Sequence, residues 1–147
     1  MRWRFVDRIE AFDPWTFLKG RKSISLEEYC LLEPLGRKGI FSEALVLESC
    51  IHLGRWLVMK SSDFEKTCLL FEVRGFTFAK ACGMGDTLEM TLRVQKREEG
   101  FVEAECETTE GGNLICRGVL TLGFMSLGSL VDPDTMRATW RELYGTA

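Results

Sequence analysis

Histidine is almost absent from this chain: His52 is the only one in 147 residues, which leaves little room for imidazole-based chemistry. The six cysteines (Cys30, Cys50, Cys68, Cys82, Cys106 and Cys116) have no CxxC or CxxxC spacing. With one imidazole and scattered thiols, no zinc or other metal site is expected. A basic block is also missing: 19 Lys and Arg stand against 22 Asp and Glu, for a formal charge of -3, so there is no nucleic-acid footprint. The opening Met1-Arg2-Trp3-Arg4-Phe5-Val6-Asp7-Arg8 is broken by charge too often for a signal peptide, and no charge-free apolar run reaches transmembrane length. Neither an internal repeat nor a low-complexity linker is visible. These absences lead to the expectation of a cytoplasmic protein with buried, reduced thiols, no membrane partner, no cofactor, and one domain over residues 1–147.

What is present is concentrated between Gly36 and Trp56. A loop, Gly36-Arg37-Lys38-Gly39, feeds a nearly all-apolar segment that carries one carboxylate, Glu48, and the one imidazole, His52. Ser42 is an expected N-cap, and Ser42 to Met59 has the propensity and apolarity of one long buried helix. At a spacing of four, Glu48 and His52 share a helix face, and inside such a helix each must be solvated, hydrogen-bonded or used. Arg55 lies two turns beyond Glu48 on roughly the same face and is a candidate partner for it. Trp56 and Met59 read equally as core or as the wall of a tunnel.

Around that helix the pattern changes to strands. Trp15 to Ile24 is expected to form a first strand after the Asp13-Pro14 turn. Cys68 to Lys80, Thr87 to Arg97, Phe101 to Thr108 and Leu114 to Phe124 follow, separated by turn signals at Gly83 to Asp86, Glu99-Gly100 and Glu110 to Asn113. Turns this short predict antiparallel neighbours. Leu88, Met90, Leu92 and Val94 alternate with polar residues, giving one dry face for the helix to cover. An all-apolar helix needs more than one face of one sheet, so either the sheet curls around it or a second subunit covers the rest. A tail over residues 131–147, with Asp132-Pro133 opening a peripheral helix to Tyr144, is expected to dock through Trp140 and Leu143.

In this order, four phrases resemble the β-hydroxyacyl-acyl carrier protein dehydratases, the FabA/FabZ group of hotdog proteins. They are Arg4 to Ile9, Lys22 to Glu28, Ala44-Leu45-Val46-Leu47-Glu48-Ser49, and Phe76 to Lys80 with Gly85-Asp86-Thr87-Leu88. The resemblance implies an α+β hotdog fold, a long central helix wrapped by a curved antiparallel sheet, with two protomers sharing an acyl tunnel. It also implies a chemistry: a loop histidine takes the α-proton of a 3-hydroxyacyl thioester, a helix acid fourteen positions later and across the dimer interface protonates the leaving hydroxyl, and a backbone N–H near the helix start polarises the carbonyl.

Glu48 matches that acid, but fourteen positions before it stands Pro34, which has no titratable side chain. His52 occupies a position where the family commonly has glutamine. It is either a replacement base or a structural residue bonded to Glu48 or a backbone carbonyl. By the same resemblance Gly39, Ile40, Phe41 and Trp56 are candidate substrate contacts. Arg37 and Lys38 are either solvated loop charge or contacts to an acidic carrier protein or its phosphopantetheine.

Three functions remain open. One is a dehydratase-like protein of fatty-acid, polyketide or polyene synthesis that binds thioesters of acyl carrier protein or coenzyme A without its own base, as a homo-oligomer or beside a histidine-bearing homologue. The others are a thioesterase using Glu48 and an active dehydratase, a lyase, with His52 as base.

Overall fold

A computed structural model describes residues 4–25 and 40–144. Its order is β1 (Arg8–Asp13), β2 (Phe17–Ser23), β3 (Ile40–Phe41), α1 (Glu43–Ser61), β4 (Lys66–Phe78), β5 (Cys82–Gly83), β6 (Thr87–Arg97), β7 (Phe101–Glu110), β8 (Asn113–Ser126) and α2 (Pro133–Leu143). Six strands form one antiparallel sheet in the order β1-β2-β6-β7-β8-β4, and β3 pairs with β5 in a small second ribbon. α1 packs against β2 near one edge of the sheet and against β4 at the other, as well as β6 and β8 between them. Only a curved sheet lets one helix touch both ends, so the expected helix wrapped by an antiparallel sheet is the architecture observed.

Local chemistry sets the helix. Ser42 is extended, and its hydroxyl accepts from the Leu45 N–H at 3.3 Å, while Glu43 complements the positive N-terminal end of the helix and Lys60 its last turn. Helix and sheet approach closely because two glycines permit it. A Cβ on Gly54 would stand 2.6 Å from Leu122 Cδ1, and one on Gly20 would stand 2.9 Å from Leu53 Cδ1. The dry face of β6 is Leu88, Met90 and Leu92, that of β7 Val102, Ala104 and Cys106, and both meet Leu53 and Leu57 of α1 in one core. Each fully buried Leu, Val or Met side chain among these contributes about 1.5–3 kcal/mol.

Two expectations need correction. A strand at Arg8–Asp13 was not anticipated, because charges at Arg8, Glu10 and Asp13 and a bulge between Ile9 and Ala11 hide its alternation. The turn signal at Gly83 to Asp86 does not join sheet neighbours: β6 pairs with β2, and β4 crosses to pair with β8. Its role is to tie the end of β2, since Ile24 N–H donates to Asp86 O and Gly85 N–H donates to Ile24 O, both at 2.9 Å. Gly85 does this at φ 88°, a conformation that favours glycine. Phe41, a candidate substrate contact, belongs to the core at 1% exposure.

The tail behaves as expected. Asp132 caps α2, accepting from the Asp134 N–H, Pro133 opens it, and Trp140 and Leu143 are its buried residues. Trp140 packs edge-on against Phe12. Cys50, Cys68, Cys82, Cys106 and Cys116 are free and buried, and among the described residues no helix is long and apolar enough to cross a membrane.

Candidate functional site

On one face of α1, Glu48, His52 and Arg55 form a closed polar cluster. His52 Nε2 lies 3.2 Å from Glu48 Oε1 and 3.1 Å from Arg55 Nη1, and Arg55 Nη1 is 3.8 Å from the same Glu48 oxygen. The helix repeat alone brings them together, at i, i+4 and i+7. All three side chains are about one-third exposed, so the face is neither sealed in hydrocarbon nor freely solvated. The Phe5 ring lies against the imidazole with centroids 4.6 Å apart.

The protonation logic of this cluster limits what His52 can do. Arginine only donates, so contact with Arg55 requires a lone pair on Nε2; contact with Glu48 requires a proton there. One nitrogen cannot satisfy both at once: the neutral Nδ1–H tautomer favours Arg55, while the neutral Nε2–H tautomer and the imidazolium favour Glu48. Burial pushes the His52 pKa below its ordinary value, the Arg55 charge pushes the same way, and Glu48 opposes them. The resulting neutral imidazole has the right charge state for a base: as the Nδ1–H tautomer its basic Nε2 is engaged by the guanidinium, and as the Nε2–H tautomer it is held by Glu48 with Nδ1 as the basic nitrogen.

Beside this cluster is a cavity of about 350 Å³ between α1, the start of β4 and the segment leading into α2. Arg55 supplies its charge, His52 and Thr67 its other polar groups, while Trp56, Met59 and Met136 are among its apolar lining. A largely apolar pocket with a few convergent polar groups is the general form of a small-molecule site. Cys68 also lines it, but burial pushes that thiol up to about 12, so it stays protonated near neutral pH and is no nucleophile. Glu48 reaches the cavity only through His52 and Arg55.

Of the residues singled out in the sequence, the structure brings Glu48, His52 and Trp56 together on α1, while Phe41 shares the hydrophobic core with Trp56 and is not among the residues lining the cavity. Ile40 is half-buried in the β3–β5 ribbon. Gly39, Arg37, Lys38 and Pro34 lie outside the described residues, as does Cys30. Sequence reasoning missed the roof of the cavity, formed by Leu127, Leu130, Val131 and Met136. Its one signal was the apolar Leu130-Val131 pair just before Asp132-Pro133. No group of His, Cys, Asp and Glu among the described residues is arranged to hold a metal.

No protein-family model matches the chain. Among curated proteins it is similar to the 3-hydroxyacyl-[acyl-carrier-protein] dehydratase FabZ of Latilactobacillus sakei, 23% identical over 79% of this chain and 84% of that protein. FabZ of a Roseiflexus species is 24% identical, over 84% and 87%. Among solved structures, S. sahachiroi AziG superimposes with TM-score 0.65 at 19% identity, covering 82% of this chain and 91% of that one. A hypothetical thioesterase from Streptococcus pneumoniae, solved with coenzyme A, gives TM-score 0.63 at 12% identity, covering 82% and 86%. The smu.793 protein of Streptococcus mutans, solved with acetyl CoA, gives 0.61 at 12% identity over 82% and 89%.

Proposed function

We propose that this chain, which has the hotdog fold and is similar to FabZ dehydratases, binds acyl thioesters as a dehydratase-type subunit without a base of its own. The curated relatives are dehydratases of acyl-carrier-protein thioesters, and two solved neighbours hold coenzyme A or acetyl CoA. The apolar cavity beside Glu48, His52 and Arg55 fits the same ligand class. The observation that carries the base-less reading is the contact of His52 Nε2 with both Arg55 Nη1 and Glu48 Oε1, 3.1 and 3.2 Å away, which ties up that nitrogen of the chain's only imidazole in either neutral tautomer. Pro34, at the position of the family's histidine, offers nothing in its place.

A split site explains why such a chain would keep Glu48. In the family's arrangement, acid and base come from different protomers, so a protomer holding only the acid completes one site when paired with a histidine-bearing homologue. The purified protein alone is expected not to dehydrate 3-hydroxyacyl thioesters, and adding such a homologue restores turnover that Glu48→Gln then removes. Turnover by the purified protein alone overturns the reading, and loss of that turnover in His52→Gln would identify His52 as the base.

Thioester hydrolysis is the second reading, favoured by one observation: Glu48 is a partly exposed carboxylate with Oε1 fixed by two neighbours, a geometry that can orient a water. It predicts thiol release from acyl thioesters, lost in Glu48→Ala. Absence of thiol release at every chain length removes it.

A further inference from the structure

A second cleft of about 270 Å³ adjoins the cavity at His52, and the two share three lining residues: His52 and Trp56 from α1, and Met136 from α2. Beyond that shared wall the second cleft continues past Phe5, Val6, Thr139 and Leu143, with Arg4, paired to Glu142, as its charged residue. Across the α1–α2 space, then, two residues of the central helix face a single side chain of the C-terminal helix. We propose that Met136 sets the length of acyl chain this protein accepts, its side chain dividing one α1–α2 groove into two chambers. The inference rests on reading the cavity as an acyl-thioester site and goes beyond that reading by naming the residue that limits its depth.

Three observations support a divider rather than a fixed wall. Met136 is only half-buried, whereas Trp140 and Leu143, which hold α2 to the body, are 5% and 2% exposed. An unbranched thioether has several rotatable bonds and adapts to irregular space, so it closes a passage without filling a rigid core position. On the rim of the first chamber, Leu130 and Val131 remain 56% and 43% exposed. Apolar side chains left at a cavity mouth are ready to cover an aliphatic ligand. The first chamber alone is near the lower end of ligand-pocket volumes, whereas the joined groove lies well inside that range.

The test is calorimetric titration of the full chain with butanoyl-, octanoyl- and hexadecanoyl-coenzyme A, comparing wild type with Met136→Ala, Met136→Trp and the volume-conserving Met136→Leu. Each added methylene that gains a buried site strengthens binding several-fold. Met136→Ala is therefore expected to tighten hexadecanoyl binding relative to octanoyl by about tenfold or more while leaving butanoyl within about twofold. Met136→Trp is expected to weaken the longer chains selectively, and Met136→Leu to keep the wild-type profile. Melting temperatures check that all variants are folded. Binding with the same chain-length profile in all four proteins overturns the inference alone. No binding by wild type at any length removes the acyl-thioester reading, and this inference with it.

Discussion

At the scale of single residues, His52 is defined by the two side chains that compete for its Nε2. Because it is the only histidine, its titration is a single resolvable signal in NMR. It is expected to titrate below the ordinary value of about 6.5. Arg55→Met should raise it, by removing a neighbouring positive charge, and Glu48→Gln should lower it further, by removing the carboxylate that stabilises the imidazolium. The opposite order in either variant would break this account of the cluster. The same shift has a consequence for folding. With the folded-state pKa depressed, the unfolded chain binds more protons below about 6.5, so the stability from a neutral His52 is fully present above that value. It is lost as pH falls from there through the folded pKa, and the Arg55→Met variant should show a weaker loss over that window in denaturant unfolding.

The spacing of Glu48, His52 and Arg55 made their shared face legible in the sequence, and Arg55 as a partner for Glu48 could be read from helical geometry alone. That the guanidinium also reaches the imidazole nitrogen was not legible. It depends on rotamers and on how deeply α1 is set into the sheet, which spacing does not contain.

At the scale of elements, α1 shows how a locally unfavourable residue is retained for packing. Glycine inside a helix costs about 1 kcal/mol relative to alanine, yet Gly54 sits mid-helix where a Cβ would stand 2.6 Å from a methyl of fully buried Leu122. Gly54→Ala gains the propensity but overpacks the core, which typically costs about 1–3 kcal/mol. The expected net outcome is destabilisation of about 1 kcal/mol, read as a lower denaturant midpoint with unchanged slope. A higher midpoint would mean that Leu122 moves aside without cost. The contrasting site is Gly123, where a Cβ would collide with the ring of Phe71. That ring belongs to a residue 65% exposed and can swing into solvent, so Gly123→Ala is expected to cost less than Gly54→Ala.

Elements with strong local signals were legible: the Ser42 cap, the length of α1, the bounds of β6, and the docking residues of α2. What was not legible was pairing. Short turns correctly predicted β6-β7-β8 as antiparallel neighbours, but the crossing of β4 to β8 and of β2 to β6 depends on the sheet curling around α1. β1 escaped notice for a related reason. It is an edge strand with charges on its exposed positions, so its sequence lacks the clean alternation of β6.

At the scale of the whole molecule, the unresolved demand is an edge of the sheet that no other strand among the described residues pairs with. β4 is a terminal strand, and Leu69, Leu70, Phe71 and Val73 are 51%, 36%, 65% and 37% exposed. The bulge between Leu70 and Glu72 takes Phe71 out of alternation, so three consecutive large apolar residues face outward. A long apolar edge is an aggregation hazard unless another strand pairs with it or something covers it. Lysines or a proline would blunt such an edge, yet between Leu69 and Val73 the only charge is Glu72. A second copy of the chain meeting β4 edge to edge satisfies both the backbone groups and the side chains, and Leu69 also lines the cavity, so the partner would stand at its mouth. Sedimentation should therefore give a dimer or larger for wild type, and Leu70→Lys with Phe71→Lys should shift it to monomer by placing like charges opposite one another. A monomeric wild type at micromolar concentration would end this account and would also remove the structural basis for a site shared between protomers. A dimer that persists in the double variant would place the interface elsewhere on the surface.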